Sequence, residues 1–367
     1  METCTAEFLR LARHVGGINC RGNPLVTFTS PFALDHWTMP LIEVTFIAGA
    51  VAGLVHAIRR KRTAGDASNL IVWLSAVLAP FVIEPITYFP QWFGLEDTLG
   101  LQFIHNQFSV QFLYNRLPLY IIAVYPAFAY LAYVLVQRTG IFERRGAVVS
   151  AVCVAFAFHV IYELFDMVGP QMRWWVWNSD LDLLKPAIGV VPYSDLQAFA
   201  FGAPLGIALL TRLMGTRRSP TGRRIVAVTV LVAVGTWPVM FITSVPATIL
   251  DFAGMGIETA RIVGTWLILS IAALITGWAL VDADRARPAG DFERDGGGNF
   301  PLVVLVSYLS IFAVIWIQAL PAYLGARSGS TRGGDPIGSL PYAVGAAAIS
   351  IVVLVAAYRG RAARPAD

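Results

Sequence analysis

Residues 147–168 read AVVSAVCVAFAFHVIYELFDMV. At about 1.5 Å of rise per residue, this run as a helix covers the roughly 30 Å of a bilayer's hydrocarbon core. Lipid offers no partner to a free backbone N–H or C=O, so a run of this length and apolarity is a helix and not an open strand. Three residues break the apolar pattern. His159, Glu163 and Asp166 are spaced i, i+4 and i+7, which predicts one shared helix face.

Outward from this stretch, similar runs recur near 39–58, 69–90, 116–136, 190–213, 224–250, 260–281, 300–324 and 340–358. With 56% hydrophobic and 14% charged residues and a mean hydropathy of +0.64, the chain is too apolar for a soluble globular protein of 367 residues. The sequence therefore predicts an all-α fold, a polytopic integral membrane bundle of about nine transmembrane helices. Arg59, Arg60, Lys61 and Arg62 follow span 1; Arg138, Arg144 and Arg145 follow span 3; Arg212, Arg217, Arg218, Arg223 and Arg224 follow span 5. Arg285, Arg287 and Arg294 follow span 7, and Arg359, Arg361 and Arg364 follow span 9. Basic clusters on alternate connections predict an outer N-terminus and a cytoplasmic C-terminus for a multi-pass protein of the cell membrane. The net charge of +4 is thus a topology signal and not a footprint for nucleic acid.

Residues 1–35 form an outward segment in which Phe8, Leu11 and Val15 suit one face of a short interfacial helix. This segment carries charges and no apolar run ending in small residues, so no removable signal peptide is expected. Cys4 and Cys20 lie here, where a bridge is chemically permitted, while Cys153 sits within span 4. A single transmembrane domain over 36–358 follows, with a polar functional core at 36–213, mainly scaffold at 214–358 and a cytoplasmic tail at 359–367. The Gly-rich, charged stretch 282–299 is the clearest linker. No CxxC, Cys/His cluster, P-loop, dinucleotide glycine fingerprint or His-rich motif is present, so neither a metal nor a cofactor is expected.

A carboxylate inside a bilayer costs roughly 2.5–3.5 kcal/mol even on lenient insertion scales. Counting along each oriented span puts Glu43, Glu84 and Glu163 about 7–8 Å outward of mid-membrane, and Asp166 and Asp195 about 10–13 Å outward. Acids on spans of opposite direction thus reach one layer, which points to a site. A carboxylic acid in apolar surroundings can hold a proton and donate it to an apolar substrate, while a second stabilises a developing cation or activates water. The structural alternative is that Glu163 and Asp166 pair with Arg116 or Arg173 to fix helix packing, and that His159 bonds a neighbouring carbonyl. Glu43, near the headgroups, reads as structural. Pro80, Pro85 and Pro90 flank Glu84 and predict a kinked end to span 2. Span 3 opens with YNRLPLY, which puts Asn115, Arg116 and Tyr120 at the same outer level and makes Arg116 the natural counter-ion of Glu84 or Glu163. Trp174, Trp175 and Trp177 fit an interfacial aromatic belt, or a pocket wall that stabilises a carbocation by cation–π attraction.

The Glu-Pro end of span 2, NRLPLYIIAVYPA, ELFDMVGPQMRWWVWN and GVVPYSDLQAFAFGAP, over residues 69–213, together resemble the membrane-embedded carotenoid hydratase family and related small integral-membrane terpene cyclases. The resemblance implies an enzyme of lyase or isomerase type that protonates an isoprenoid double bond and then hydrates or cyclises the product, with the family's polar centre carried onto Glu163. Where that family has a glycine-rich run after the Glu, this chain has Asp-Met-Val-Gly-Pro and then tryptophans. Residues and resemblance together nominate Glu163, Asp166, Glu84 and Asp195 as catalytic. Arg116, Asn115, Tyr120, His159, Trp174, Trp175 and Trp177 are nominated to bind an apolar isoprenoid or lipid taken from the bilayer. A proton- or cation-coupled transporter uses the same acids, but it needs polar groups on both sides of mid-membrane, and the inner half has few. A non-catalytic membrane scaffold is the third reading, and the oligomeric state stays open.

Overall fold

A computed structural model describes residues 3–215, 220–286 and 298–359. Arg217, Arg218, Arg287, Arg294, Arg361 and Arg364 of the predicted basic clusters, most of the linker and nearly all of the tail lie outside the described residues. The chain is an all-α polytopic membrane protein, with nine helices among the described residues long and apolar enough to span. Span 1 is Thr38–Ala64, span 2 Ser68–Tyr88, span 3 Leu119–Thr139, span 4 Ala147–Asp166 and span 5 Asp195–Met214. Span 6 is Gly222–Met255, span 7 Ile257–Arg285, span 8 Phe300–Leu324 and span 9 Leu340–Tyr358.

Burial sorts these helices. Spans 3 and 4 are the axis of the bundle, with 89% and 83% of their apolar windows buried, against 33% for each of spans 6 to 9. The outer spans expose residues such as Leu274, Ile317 and Phe241, as helices facing lipid do. Between spans 1, 3, 4 and 8 the core is a layer of rings. Phe128 meets Tyr308 edge-on at 4.7 Å, and Phe46 meets Phe128 at 5.3 Å and Phe165 at 5.2 Å. T-shaped pairs of this kind add about 0.5–1.5 kcal/mol each beyond burial.

Three boundaries differ from the sequence reading, each for a local reason. Span 3 begins at Leu119 because Leu117 and Pro118 form a strand and Pro118 stands at the helix N-cap in extended conformation, leaving Arg116 outside the helix. Span 5 begins at Asp195 because Pro186–Ile188 and Val191–Pro192 pair as a hairpin turned at Gly189, whose φ of +58° suits glycine. Its first two turns, Asp195–Gly202, are π-helical. Span 6 breaks after Ile242 and resumes at Val245, with Pro246 in the first turn of the resumed helix.

The outer ends carry a small folded cap. Strands β1 (Val26–Phe28), β3 (Val110–Phe112) and β4 (Leu117–Pro118) form one antiparallel sheet, and β2 (Phe103–His105) pairs with β5 (Trp175–Trp177). Helix Ala6–Ala12 starts at Thr5, whose hydroxyl accepts from the Phe8 N–H. Phe8, Leu11 and Val15 are buried as a satellite core with Leu101 and Ile104, so this face packs on the protein's own cap and not on lipid. Glu7 accepts from the Leu101 N–H at 3.2 Å and from Asn178 at 2.6 Å, and Arg10 donates to Asn178 at 2.7 Å. Cys4 and Cys20 form a disulfide.

Closing a loop of this size stabilises a chain by about 3 kcal/mol on the entropic account. Cys4→Ser with Cys20→Ser is therefore expected to leave helix content by circular dichroism unchanged while limited proteolysis cuts residues 3–35 much faster. Cap and bundle unfolding together contradicts an independently anchored cap. The cap also holds a pH dependence, since burial pushes His105 down to about 3 from 6.5. A value lowered in the fold means that the stability His105 contributes is complete above about pH 6.5 and is lost as pH falls toward 3. His105→Gln is expected to flatten the acid limb of cap protection, read by amide exchange at β2 and β5.

Candidate functional site

Under the cap, at the outer ends of spans 2 to 5, lies a cavity of about 30 Å³, room for one or two waters. Glu84 reaches it from span 2, Asp166 from span 4 and Asp195 from span 5. Tyr125 of span 3, Tyr162 and Phe165 of span 4 and Phe199 of span 5 form the wall. Phe103 and His105 of β2 and Trp175 and Trp177 of β5 form the roof. Among the described residues, no Lys or Arg lines the cavity.

Each acid is placed by local backbone chemistry. Glu84 precedes Pro85, which lacks an N–H and interrupts the helical ladder inside span 2. The Thr87 hydroxyl donates to the Glu84 carbonyl at 3.0 Å and lies 3.5 Å from its carboxylate. Asp195 opens the π-helical turns of span 5, a wider coil that recurs at functional positions. Asp166 ends span 4 and faces the same cavity as Asp195. The Oδ2 atom of each is buried with no donor among the described residues. Carboxyl groups gathered at one buried cavity repel each other when both are ionised, which favours a proton on one of them.

The nominated residues divide. Glu84, Asp166, Asp195, Trp175 and Trp177 come together at the cavity. Glu163 is fully buried behind it, with Oε1 3.3 Å from His159 Nδ1. His159 Nε2 in turn lies 2.6 Å from the Tyr342 hydroxyl of span 9. The stripe of span 4 thus serves two neighbours: its outer end turns to the cavity and its deeper end to span 9. Tyr120 is buried one layer away, its hydroxyl 2.9 Å from His105 Nδ1.

Four expectations are corrected. Arg116 forms no ion pair with Glu84 or Glu163: its guanidinium sits 3.5 Å over the Phe8 ring and 5.2 Å from Phe89, and it donates to the Thr3 carbonyl. Burial lowers Arg116 to about 9. Asn115 is in the cap, bonded through Nδ2 to the Asn19 carbonyl at 3.0 Å. Arg173 pairs with Asp335 at 2.5 Å and not with the acids of span 4. Finally, Trp174 and Trp175 are buried and so do not form an interfacial belt; Trp174 donates to the Thr38 hydroxyl at 3.0 Å and stacks on Phe165. Glu43 acts as read from sequence, its carboxylate accepting from the Ser109 N–H at 3.0 Å.

Sequence reasoning did not nominate His105, Phe103, Tyr125, Tyr162, Phe165, Ile121 or Phe199. Two were within its reach, since Tyr162 and Phe199 stand one helical turn from Asp166 and Asp195. The inner half is also more polar than expected. Asn69 bonds Gln137 at 3.1 Å and the Tyr130 hydroxyl at 3.3 Å, and that hydroxyl lies 2.7 Å from His56.

No curated protein and no solved structure matches this chain. A family described as a domain of unknown function, DUF7802, matches residues 28–220. That match covers more than half of the 367 residues, spans 1 to 5, and every residue that lines the cavity. The chain belongs to that family.

Proposed function

We propose that the protein is a membrane enzyme that performs acid–base chemistry on an apolar isoprenoid or lipid chain. One observation carries the reading: three carboxyl groups open onto an aromatic-walled cavity whose lining, among the described residues, holds no Lys or Arg. An acid pair that holds a proton is a donor, and rings set around it favour the positive charge that develops when a double bond takes that proton. The carbon–carbon π electrons form a new C–H bond with the proton of the Asp166–Asp195 pair, leaving a carbocation on the neighbouring carbon. In a hydration, water attacks that carbon and returns a proton to a carboxylate, with Glu84 across the cavity as its acceptor. In a cyclisation, a second double bond of the same chain attacks and a proton is lost to the same groups. The cavity holds one or two waters, so binding a double bond there requires the aromatic wall to move apart, with the rest of the chain extending between helices. Glu163 and His159, behind the acids, position span 4. The resemblance to carotenoid hydratases and terpene cyclases is in keeping with this chemistry.

A transport reading rests on a different observation. The His56, Tyr130, Asn69 and Gln137 cluster gives the bundle polar groups in both halves, as a proton path requires. The ring layer of Phe46, Phe128, Phe165 and Tyr308 lies between the two clusters, which favours a site closed from below.

Asp166→Asn and Asp195→Asn are expected to accumulate normally and to lower the product at least a hundredfold, the scale of a lost general acid. The check is untargeted mass spectrometry of apolar extracts from cells carrying native or variant protein. Hydration changes a metabolite by the mass of one water; cyclisation changes retention at constant mass. Unchanged extracts beside proton flux in proteoliposomes that needs Asp195 transfer the case to transport. A geometric test leaves all three acids intact. A Cβ built on Gly169 falls 1.9 Å from the Trp175 ring, so Gly169→Ala is expected to displace this ring of the cavity lining and abolish the same product. Full turnover in Gly169→Ala contradicts this cavity as the reaction site.

A further inference from the structure

At the opposite, basic end of the bundle, a groove of about 550 Å³ runs between the end of span 1 and the start of span 8. Its walls are of two kinds. Ala52, Val55, Val303 and Val304 form an apolar floor, with Val55 43% and Val303 58% exposed on the lipid-facing side. Arg59, Arg60 and Thr63 stand at its polar mouth, and among the described residues no carboxylate lines it.

The state of the arginines is what singles this groove out. At the same end, Arg144 and Arg145 both hold Asp282 at 2.8 Å. Arg138 donates to the Gly298 carbonyl and lies over Tyr358, and Arg212 donates to the Phe142 carbonyl. Arg59 and Arg60 form no ion pair among the described residues, and Arg60 Nε is buried with no partner. A buried guanidinium N–H without an acceptor is costly, and its natural complement is a phosphate oxygen held by two N–H groups in a fork. Two guanidinium groups above an apolar channel that opens sideways to the membrane match an ester-linked phosphate with acyl chains below it.

We infer that this groove binds one anionic phospholipid, with its headgroup phosphate on Arg59 and Arg60 and an acyl chain along Val55 and Val303. The site is independent of the acid cavity.

The experiment is native mass spectrometry of the detergent-solubilised full chain with phosphatidylglycerol, phosphatidylcholine and soluble glycerol phosphate. A retained phosphatidylglycerol adduct is expected, with phosphatidylcholine weaker and glycerol phosphate unable to displace it. Arg59→Gln with Arg60→Gln is expected to lower adduct occupancy about tenfold at matched lipid. Lys61→Gln with Arg62→Gln removes the same charge one step away and is expected to leave the adduct in place. Val303→Trp, on an exposed face that tolerates substitution, is expected to reduce it by filling the channel. Equal loss in both charge pairs reduces the effect to general basicity and overturns the site. Displacement by glycerol phosphate overturns the lipid as occupant, and absence of any adduct on the native chain overturns both.

Discussion

Asp166 and Asp195 meet at one small cavity whose lining, among the described residues, includes no basic side chain. Most of the outer architecture can be traced to that meeting of acids. A carboxyl group taken out of water needs a proton, a cation or donors. Here the helices bring a second carboxyl, and a proton on one of them relieves the repulsion between the two. That arrangement requires a roof, because a site open to bulk water returns the pair to two separate hydrated anions. The roof is the antiparallel pairing of Phe103 with Trp177 and of His105 with Trp175. It also requires a dense floor, supplied by the ring layer between spans 1, 3, 4 and 8. The remaining spans surround this core with apolar faces suited to lipid.

The spans were legible because hydropathy over some twenty residues is a one-dimensional signal, insensitive to what each helix touches. That Glu84, Asp166 and Asp195 reach one layer was legible for the same reason, since rise per residue converts position to height. Partner identity was not. Arg116 is close to the acids in sequence order and height, yet Phe8 and the Thr3 carbonyl hold it from more than a hundred residues away. Periodicity within span 4 correctly put His159, Glu163 and Asp166 on one stripe, but a stripe 10 Å long meets more than one neighbour. Which end meets the cavity depends on where span 9 crosses, and no local pattern encodes that. The short strands were missed because they are two or three residues long, below the length at which alternation can be recognised.

The cap gives an independent line on orientation. Disulfides persist in oxidising compartments and are uncommon where thiols are kept reduced. The Cys4–Cys20 bridge belongs to the end of the bundle opposite Arg59, Arg60, Arg144 and Arg145. Charge distribution and thiol chemistry are unrelated physical effects, and they assign the same side as outer.

Synthesis order adds a consequence to the acid pair. The ribosome delivers Glu84 about eighty residues before Asp166, and Asp195 about thirty residues later still. During elongation, span 4 is therefore complete before the partner of its terminal acid exists. An isolated carboxylate at that depth resists partition into lipid. Span 4 must then wait beside the insertion machinery, or enter carrying its own proton, until span 5 arrives. The cavity is thus assembled by the late meeting of two helices, and the order in which the chain emerges, as much as the final geometry, decides when its acids come together.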